Sequence, residues 1–400
     1  MPRSKNHPLV PEAYQGREQA YIKHELLKAY LEKLFLIIGM SSGKLGITEI
    51  CYVDCFAGPW SAENESLSDT SIGVSLRILD KCHKELKSHG LKLRFRALYV
   101  EKEDAAFARL EKFLSARTPP EIAASPLHGD FVALRDDILK WCSTDSFAFF
   151  FIDPTGWKEI AIPILKPLLQ RGQSEFLINF MYDFVARTVS MADWKEEMAT
   201  LIGEPIEIGD RHGQQREKFL LNTYRGNLKQ QVVPGGRFLP RSAYVRVLDR
   251  KKERPKYHLV YLTSHPRGIV EFMQISEELD LIQKRVRAST RQSERIKKSG
   301  QHELFHEEEL VDSEAGNIDI GTVEQYWLKY LSRGERRVTE GEFADLLQET
   351  DWFPGDFQRA LCRLIDSGKV RNLDAPRKRP KRPLHCEKDG ERLILVEQMK

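Results

Sequence analysis

Between residues 50 and 180, short apolar segments alternate with segments of helical periodicity. Three of the apolar segments end in or just before an acid, and these acids are Asp54, Glu101 and Asp153. A strand–helix alternation of this kind is typical of a parallel sheet with helices on both faces. Ligands of open α/β sheets lie beyond the carboxyl ends of the strands. We therefore expect the three acids to gather at one edge of a sheet and to border a ligand site.

The apolar segments predict five strands in this region. They span residues 50–54, 96–100, 125–127, 147–152 and 176–180. The fourth is almost wholly apolar, as expected of a central parallel strand that is covered on both faces. Two further candidates, at 243–248 and 257–263, flank a charged turn. They predict a hairpin that adds an antiparallel edge to the sheet.

Helical periodicity and changes of composition predict the domain organisation. Residues 19–38 form a helix by the spacing of their apolar side chains, and a helical insertion is expected near 191–232. A further helix should begin at Gly268 and end near Val286. A basic run and then an acidic run follow, which predict a charged linker or solvated helix over 283–317. The chain of 400 residues is thus expected to form an α/β domain over 1–282 and a second domain over 318–400.

The last 80 residues have the pattern of a winged helix-turn-helix. Residues 323–331 and 357–365 have helical spacing, and Thr339 with Glu342 forms a capping-box motif before a third helix. Two short segments, at 369–373 and 392–396, can pair as strands around a basic loop. Three helices and a two-stranded wing together make this motif.

Composition excludes several classes of protein. With 41% hydrophobic and 30% charged residues, the chain is an ordinary folded protein, and its formal net charge of +3 provides no overall basic field. Cys51 and Cys55 are spaced like half of a metal site, but no second Cys or His pair has matching spacing. The six cysteines are scattered along the chain, so we expect reduced thiols in a cytoplasmic protein without a metal site. We expect no signal peptide in the polar N-terminal segment, and the apolar run at 34–40 is too short to span a membrane.

The loop after the first strand is the candidate binding loop for a nucleoside-containing ligand. It contains Gly58, and glycine lets a backbone approach a ligand closely because it has no Cβ. An acid at the end of the second strand, Glu101, is the usual acceptor for ribose hydroxyls. Asp130, with Phe131 beside it, can accept a hydrogen bond from an adenine amino group. The alternative is an ordinary strand-to-helix turn with a solvated carboxylate at the next helix start.

A second candidate site follows the central strand directly. Asp153 can accept a hydrogen bond from an exocyclic amine, the carbonyl of Pro154 can accept another, and Trp157 can stack on a planar base. The alternative is a turn with a buried tryptophan. Asn179 lies inside the fifth strand and Asp183 just beyond it. Both can line the same pocket, although such residues more often cap the next helix.

A basic cluster in the tail is the candidate nucleic-acid interface. The wing carries Arg377, Lys378, Arg379, Lys381 and Arg382. Such side chains contact phosphates, and Arg359 and Arg363 would lie on the adjacent recognition helix. The alternative is a solvated hairpin in a protein–protein interaction module.

Four segments together resemble the three-Cys-motif partner family. They are YVDCFAGPW, FFFIDPTGW, EFLINF and YHLVYLTSHPRG. The resemblance covers roughly the first 280 residues, and the tail resembles the winged helix that often follows in this bacterial family. It implies a Rossmann-like methyltransferase that uses S-adenosylmethionine (SAM), and a partner protein with a three-cysteine motif.

The resemblance also implies roles for individual residues. It assigns Asp54 and the residues Phe56, Ala57, Gly58 and Pro59 to the methyl-donor loop, and it assigns Asp153 and Pro154 to the amino-methyltransferase motif. Two positions depart from the usual pattern. Trp60 stands where a second glycine is usual, and Thr155-Gly156 replaces the proline–aromatic pair of base amino-methylases.

These observations lead to three hypotheses. The first is a SAM-dependent methyltransferase that acts on DNA or RNA at a base amino group, together with the three-cysteine-motif partner. The second is a non-catalytic scaffold of the same fold whose winged helix binds a partner protein or DNA. In the third, the three-cysteine-motif protein is itself the substrate or a subunit of the enzyme.

Overall fold

The computed structural model describes residues 10–58, 70–233, 238–250, 252–299, 316, 318–375, 377 and 379–396. Among these residues it has a seven-stranded mixed sheet with helices on both faces and a small three-stranded sheet near the C-terminus. The predicted fold class, a Rossmann-like α/β domain with a winged helix, is confirmed. Three residues singled out above, Pro59, Trp60 and Lys378, lie outside the described residues.

The large sheet has the strand order β3-β2-β1-β4-β5-β7-β6. Its strands are β1 (Glu49–Asp54), β2 (Arg94–Glu101), β3 (Ile122–His128), β4 (Ser146–Ile152), β5 (Ser174–Phe180), β6 (Arg241–Leu248) and β7 (Pro255–Thr263). The first five are parallel, whereas β7 runs antiparallel to β5 and β6 on either side. Every residue of β4 is buried, which explains the apolar sequence from Phe147 to Ile152. The antiparallel pairing of β6 with β7 at the edge of the sheet confirms the predicted hairpin.

Nine helices flank this sheet within the described part of the chain. They are α1 (Glu18–Leu45), α2 (Ser71–Ser88), α3 (Asp104–Arg117), α4 (Arg135–Trp141), α5 (Ile162–Leu169), α6 (Tyr182–Thr188), α7 (Lys195–Ile202), α8 (Gly213–Gln231) and α9 (Pro266–Ser299). Helices α1, α2 and α9 pack on one face, and α4, α5, α7 and α8 pack on the other. The helical insertion is therefore two helices that cover a face of the sheet.

Two helices are longer than predicted. Helix α1 continues to Leu45, where Gly46 adopts a left-handed conformation (φ 66°) and ends it. Helix α9 continues to Ser299 through the basic half of the predicted linker. Val286 and Arg287 are buried there, and the Arg287 guanidinium binds Glu253 on the β6–β7 turn. This part of the predicted linker thus packs on the α/β domain. It can do so because apolar residues lie between its basic residues, and because Arg287 is ion-paired.

The C-terminal region is a winged helix built on a three-stranded antiparallel sheet. Its elements are α10 (Ile320–Leu331), β8 (Arg336–Val338), α11 (Glu340–Thr350), α12 (Pro354–Asp366), β9 (Val370–Asn372) and β10 (Glu391–Leu395). The predicted capping box is present, with Thr339 and Glu342 each bonded to the other's backbone N–H. The predicted pairing of the two wing segments is also present, while β8 was not predicted.

The winged helix packs directly on the α/β domain. The Arg241 guanidinium makes two bonds to the Asp345 carboxylate, at 2.7 and 3.2 Å. The Arg225 guanidinium, which is buried, donates to Asp351 at 2.7 Å. One apolar cluster includes residues of α1, α9 and all three helices of the winged helix. Within the described residues, no helix is both long and apolar enough to cross a membrane.

Candidate functional site

The three acids that end the predicted strands lie at one edge of the sheet. Their strands are adjacent in the order β2-β1-β4. Asp54 pairs in register with Tyr99 of β2 and with Phe151 of β4. Glu101 and Asp153 each come two residues after these partners, and side chains two residues apart point to the same face of a strand. All three carboxylates therefore project from the carboxyl edge on the face covered by α1 and α2.

Asp54 is fully buried at the end of β1. Its carboxylate accepts hydrogen bonds from the Ser71 hydroxyl at 2.6 Å, the Phe56 N–H at 3.2 Å and the Tyr52 hydroxyl at 3.4 Å. Burial raises the pKa of Asp54 to about 6, and the negative charge of Asp153 contributes to the increase. The carboxyl group thus anchors the loop after β1 to the start of α2, below the surface of the site.

Gly58 and Glu101 are in close contact. The loop is held to β2 by a bond from the Ala57 N–H to the Val100 carbonyl, 2.9 Å long. A Cβ at position 58 would lie 2.0 Å from Glu101 Oε2, a separation that no side chain could adopt without moving the carboxylate. The other oxygen, Oε1, accepts a hydrogen bond from the Glu103 N–H at 2.8 Å. The absence of a side chain at Gly58 therefore allows the Glu101 carboxylate to sit against the loop.

Six of the predicted site residues line one cleft at this edge. They are Phe56, Gly58, Glu101, Asp130, Phe131 and Pro154. The rings of Phe56 and Phe131 are 5.0 Å apart, and the Phe131 side chain is buried. Asp54 and Ala57 are buried beneath the loop and are not part of this lining.

Asp130 is exposed at the rim of the cleft. Its Oδ1 accepts hydrogen bonds from the N–H groups of Val132 at 2.8 Å and Ala133 at 3.3 Å. It therefore orders the turn after β3. An adenine-binding role for Asp130 stays a prediction.

Asp153 is bound by two side chains that come from distant parts of the sequence. Its Oδ1 accepts a hydrogen bond from Asn179 Nδ2 at 2.7 Å, and its Oδ2 is ion-paired with Lys23 Nζ of α1. Asn179 was predicted either to line this pocket or to cap the next helix. Lys23 was missed, although it shares the helical phase of Leu27, Tyr30 and Leu34 and is thus a charge within an apolar stripe.

Trp157 lies in an aromatic cluster. Its side chain is 8% exposed and stacks on Phe184 with a centroid distance of 5.4 Å, while the edge of Trp194 approaches at 5.7 Å. This is the arrangement of the alternative interpretation, a buried tryptophan. Stacking of a base on the face of Trp157 would require Phe184 to move. Asp183 lies in the first turn of α6 and is ion-paired with Arg254 at 3.0 Å.

Four of the arginines predicted to bind nucleic acid are ion-paired within the winged helix. The pairs are Arg359–Asp356 at 2.6 Å, Arg363–Glu324 at 2.7 Å, Arg379–Glu391 at 2.7 Å and Arg382–Glu387 at 2.5 Å. Recognition helices read bases with their N-terminal residues. In this chain the N-terminus of α12 is covered by α9, where Glu277 accepts a hydrogen bond from the Gly355 N–H at 2.9 Å. Arg377 and Lys381 of the wing are exposed.

Comparison with known proteins gives one match of sequence and several weak matches of structure. Residues 293–377 match the family model of the GMT-like wHTH domain. The winged helix is thereby supported by both sequence and strand topology. No curated protein matches the chain.

The solved structures are similar at low identity. Protein LPL1258 from Legionella pneumophila is 9% identical, with 60% of this chain and 85% of that chain covered and a TM-score of 0.33. YhhF from Escherichia coli, named as a candidate methyltransferase, is 13% identical, with 59% and 85% covered and a TM-score of 0.25. Loganic acid methyltransferase with SAH is 8% identical, with 68% and 84% covered and a TM-score of 0.26. The Rossmann-like assignment rests on the strand order described above.

Proposed function

We propose that the chain is a SAM-dependent methyltransferase whose donor site is the cleft at the ends of β1, β2 and β3. The observation that carries the proposal is the contact between Gly58 and Glu101. The glycine has no side chain, so the loop after β1 lies directly against the carboxylate at the end of β2. Ligands of open α/β sheets bind at this edge, and a carboxylate at this position accepts hydrogen bonds from ribose hydroxyls.

The residues of the cleft fit a nucleoside-containing donor. Glu101 would hold the ribose, and Asp130 with Phe131 would contact the adenine ring. The backbone at Gly58 can approach the ligand closely. The donor supplies an electrophilic methyl group, and the chain's contribution is to orient it toward the acceptor next to Asp153 and Pro154.

The proposed acceptor is an amino group of a nucleic-acid base, and the proposed partner is a protein with a three-cysteine motif. A carboxylate and neighbouring carbonyl oxygens at the end of β4 suit an amine donor, because both of its N–H bonds would find acceptors if the amine took the place of Lys23 at Asp153. The winged helix and the exposed basic residues of its wing support contact with DNA or RNA. Methyl transfer to DNA and RNA pools, measured with and without the co-expressed partner, tests this part of the proposal.

Calorimetric titration of the full chain with SAM and S-adenosylhomocysteine tests the donor site. We expect Glu101→Gln to weaken binding by about tenfold, equivalent to about 1.4 kcal/mol, because a charged acceptor of the ribose hydroxyls is lost. The matched variant Glu111→Gln makes the same change on the exposed side of α3 and should bind normally. If the folded chain binds neither ligand, the proposal fails, and the non-catalytic scaffold is the hypothesis that stays.

A further inference from the structure

An amino group of the chain itself lies at the proposed acceptor site. Lys23 belongs to the second turn of α1, and its Nζ is ion-paired with Asp153 Oδ2. The side chains of Lys23 and Asp153 are only 15% and 17% exposed. The start of α1 is fixed at this edge by a bond from the Tyr257 hydroxyl to the Gln19 carbonyl, 2.9 Å long. Lys23 is therefore held in place by the fold.

The side chain that bonds to the other oxygen of Asp153 has an acceptor that no described residue uses. Asn179 is 4% exposed and donates through Nδ2 to Asp153, while its Oδ1 is buried and, among the described residues, has no hydrogen-bond partner. Burying an unpaired carbonyl oxygen is costly. Asn179 Oδ1 is thus a buried acceptor on the side chain that holds Asp153, and Asp153 in turn binds the Lys23 amine.

This amine is next to the proposed donor cleft. Pro154, the residue after Asp153, lines the cleft together with Gly58 and Glu101. Asp153 therefore connects Lys23 to the donor cleft: its side chain binds Lys23, and the next residue, Pro154, lines the cleft.

We propose that Lys23 is a site of self-methylation, which rests on the proposed function. The Lys23 ammonium first gives a proton to the Asp153 carboxylate. The Nζ lone pair then forms a bond to the methyl carbon of SAM while the bond between that carbon and sulfur breaks. The electron pair of the broken bond stays on sulfur, and S-adenosylhomocysteine leaves. The methylated nitrogen carries the positive charge, and the proton on Asp153 passes to water, so atoms and charge balance.

Two other lysines of the same helix provide internal controls. Lys28 and Lys33 have side chains that are about half exposed and that pair with Glu25 and Glu271. A chemically reactive methyl donor in solution would label these exposed amines before Lys23. Labelling of Lys23 alone therefore indicates reaction at the site.

The experiment is incubation of the full chain with SAM that carries a deuterated methyl group, followed by peptide mass spectrometry. We expect the peptide that contains Lys23 to gain the mass of one labelled methyl group or more, and the peptides with Lys28 and Lys33 to stay unlabelled. Lys23→Arg should lose the label while Lys28→Arg keeps it. Asp153→Asn should reduce labelling, because the proton acceptor is lost.

The outcomes separate this inference from the proposed function. SAM binding in calorimetry with an unmodified Lys23 in the wild-type chain overturns self-methylation and leaves the methyltransferase proposal standing. Absence of SAM binding overturns both. Equal labelling of Lys23 and Lys28 also contradicts the inference, since it indicates chemical methylation in solution. The wild-type peptide map decides the matter even if the Lys23 variant fails to fold.

Discussion

At the scale of single residues, the carboxyl group of Asp54 links the stability of the site to pH. It is buried beneath the candidate donor loop, and its pKa is raised to about 6 because burial disfavours the charged form. A raised pKa means that the folded state holds the proton more tightly than the unfolded state does. Protonation of Asp54 therefore stabilises the folded state. This contribution is complete below the unfolded-state pKa of about 4 and is lost as the pH rises through the folded-state pKa of about 6.

Replacement of Asp54 by asparagine should remove this dependence. A difference of about two pKa units corresponds to about 3 kcal/mol. Between about pH 4 and pH 7, the free energy of unfolding of Asp54→Asn should therefore increase by about 3 kcal/mol relative to that of the wild type. Urea unfolding at the two pH values measures it. Parallel pH profiles for the two chains would show that Asp54 has an ordinary pKa.

Gly58 should be required for donor binding more than for folding. In Gly58→Ala, the new methyl group would occupy the position of Glu101 Oε2, and the flexible carboxylate would move away from the ribose position. We expect SAM affinity to decrease about tenfold or more, with a loss of stability below about 1 kcal/mol. Gly43→Ala is the matched control, because a Cβ there meets no atom within 4 Å and the residue lies within a helix. Titration and thermal unfolding of both variants test the contrast.

The acids of the site could be predicted from sequence, but their partners could not. Asp54, Glu101 and Asp153 each end an apolar segment, so local pattern and the parallel-sheet rule are sufficient to bring them together. Lys23 reaches Asp153 across 130 positions, and that pairing depends on where α1 crosses the sheet. The available signal was the phase of Lys23 within the apolar stripe of α1, since a charge at such a position needs a partner.

At the scale of elements, helix α12 and the wing differ in what they present to a nucleic acid. The arginines of α12 bind acids of the same domain, and its N-terminus contacts α9. The wing exposes Arg377 and Lys381. Sequence alone located these basic residues. It could not show which were already paired, because Glu324, Glu387 and Glu391 come from other elements.

If the chain binds nucleic acid, the wing should carry the phosphate contacts. We expect Lys381→Gln to lower the slope of log affinity against log salt concentration by about one, because one phosphate contact is lost. Arg363→Gln should leave the slope unchanged, because its charge is balanced by Glu324. Fluorescence titrations of labelled duplex DNA and RNA at several salt concentrations measure both slopes. The reverse pattern would show that α12 leaves α9 to bind.

At the scale of the whole molecule, the winged helix and the α/β domain share one core and two arginine contacts. Arg225 of α8 is buried and binds Asp351 after α11, and Arg241 of β6 binds Asp345 within α11. Helix α9 passes between the two parts and packs on both. The sequence predicts two domains joined by a linker, and in the structure these two parts are in extensive contact. The local signal for this contact was weak, since Arg225 is a single charge in phase with Leu221 and Leu228.

This contact predicts unequal effects for two similar substitutions. Asp351→Asn keeps a residue that tolerates the left-handed backbone at this position (φ 60°), but it leaves the Arg225 guanidinium buried without a charged partner. Loss of one member of a buried ion pair is strongly destabilising, and we expect about 3 kcal/mol. Asp345→Asn affects a carboxylate whose side chain is 53% exposed, so we expect it to lower the free energy of unfolding by less than about 1 kcal/mol.

Calorimetry of thermal unfolding should show a single transition for the wild type, because the shared core couples the two parts. A separate transition for the winged helix, or equal effects of the two variants, would contradict this interpretation and restore a picture of independent domains.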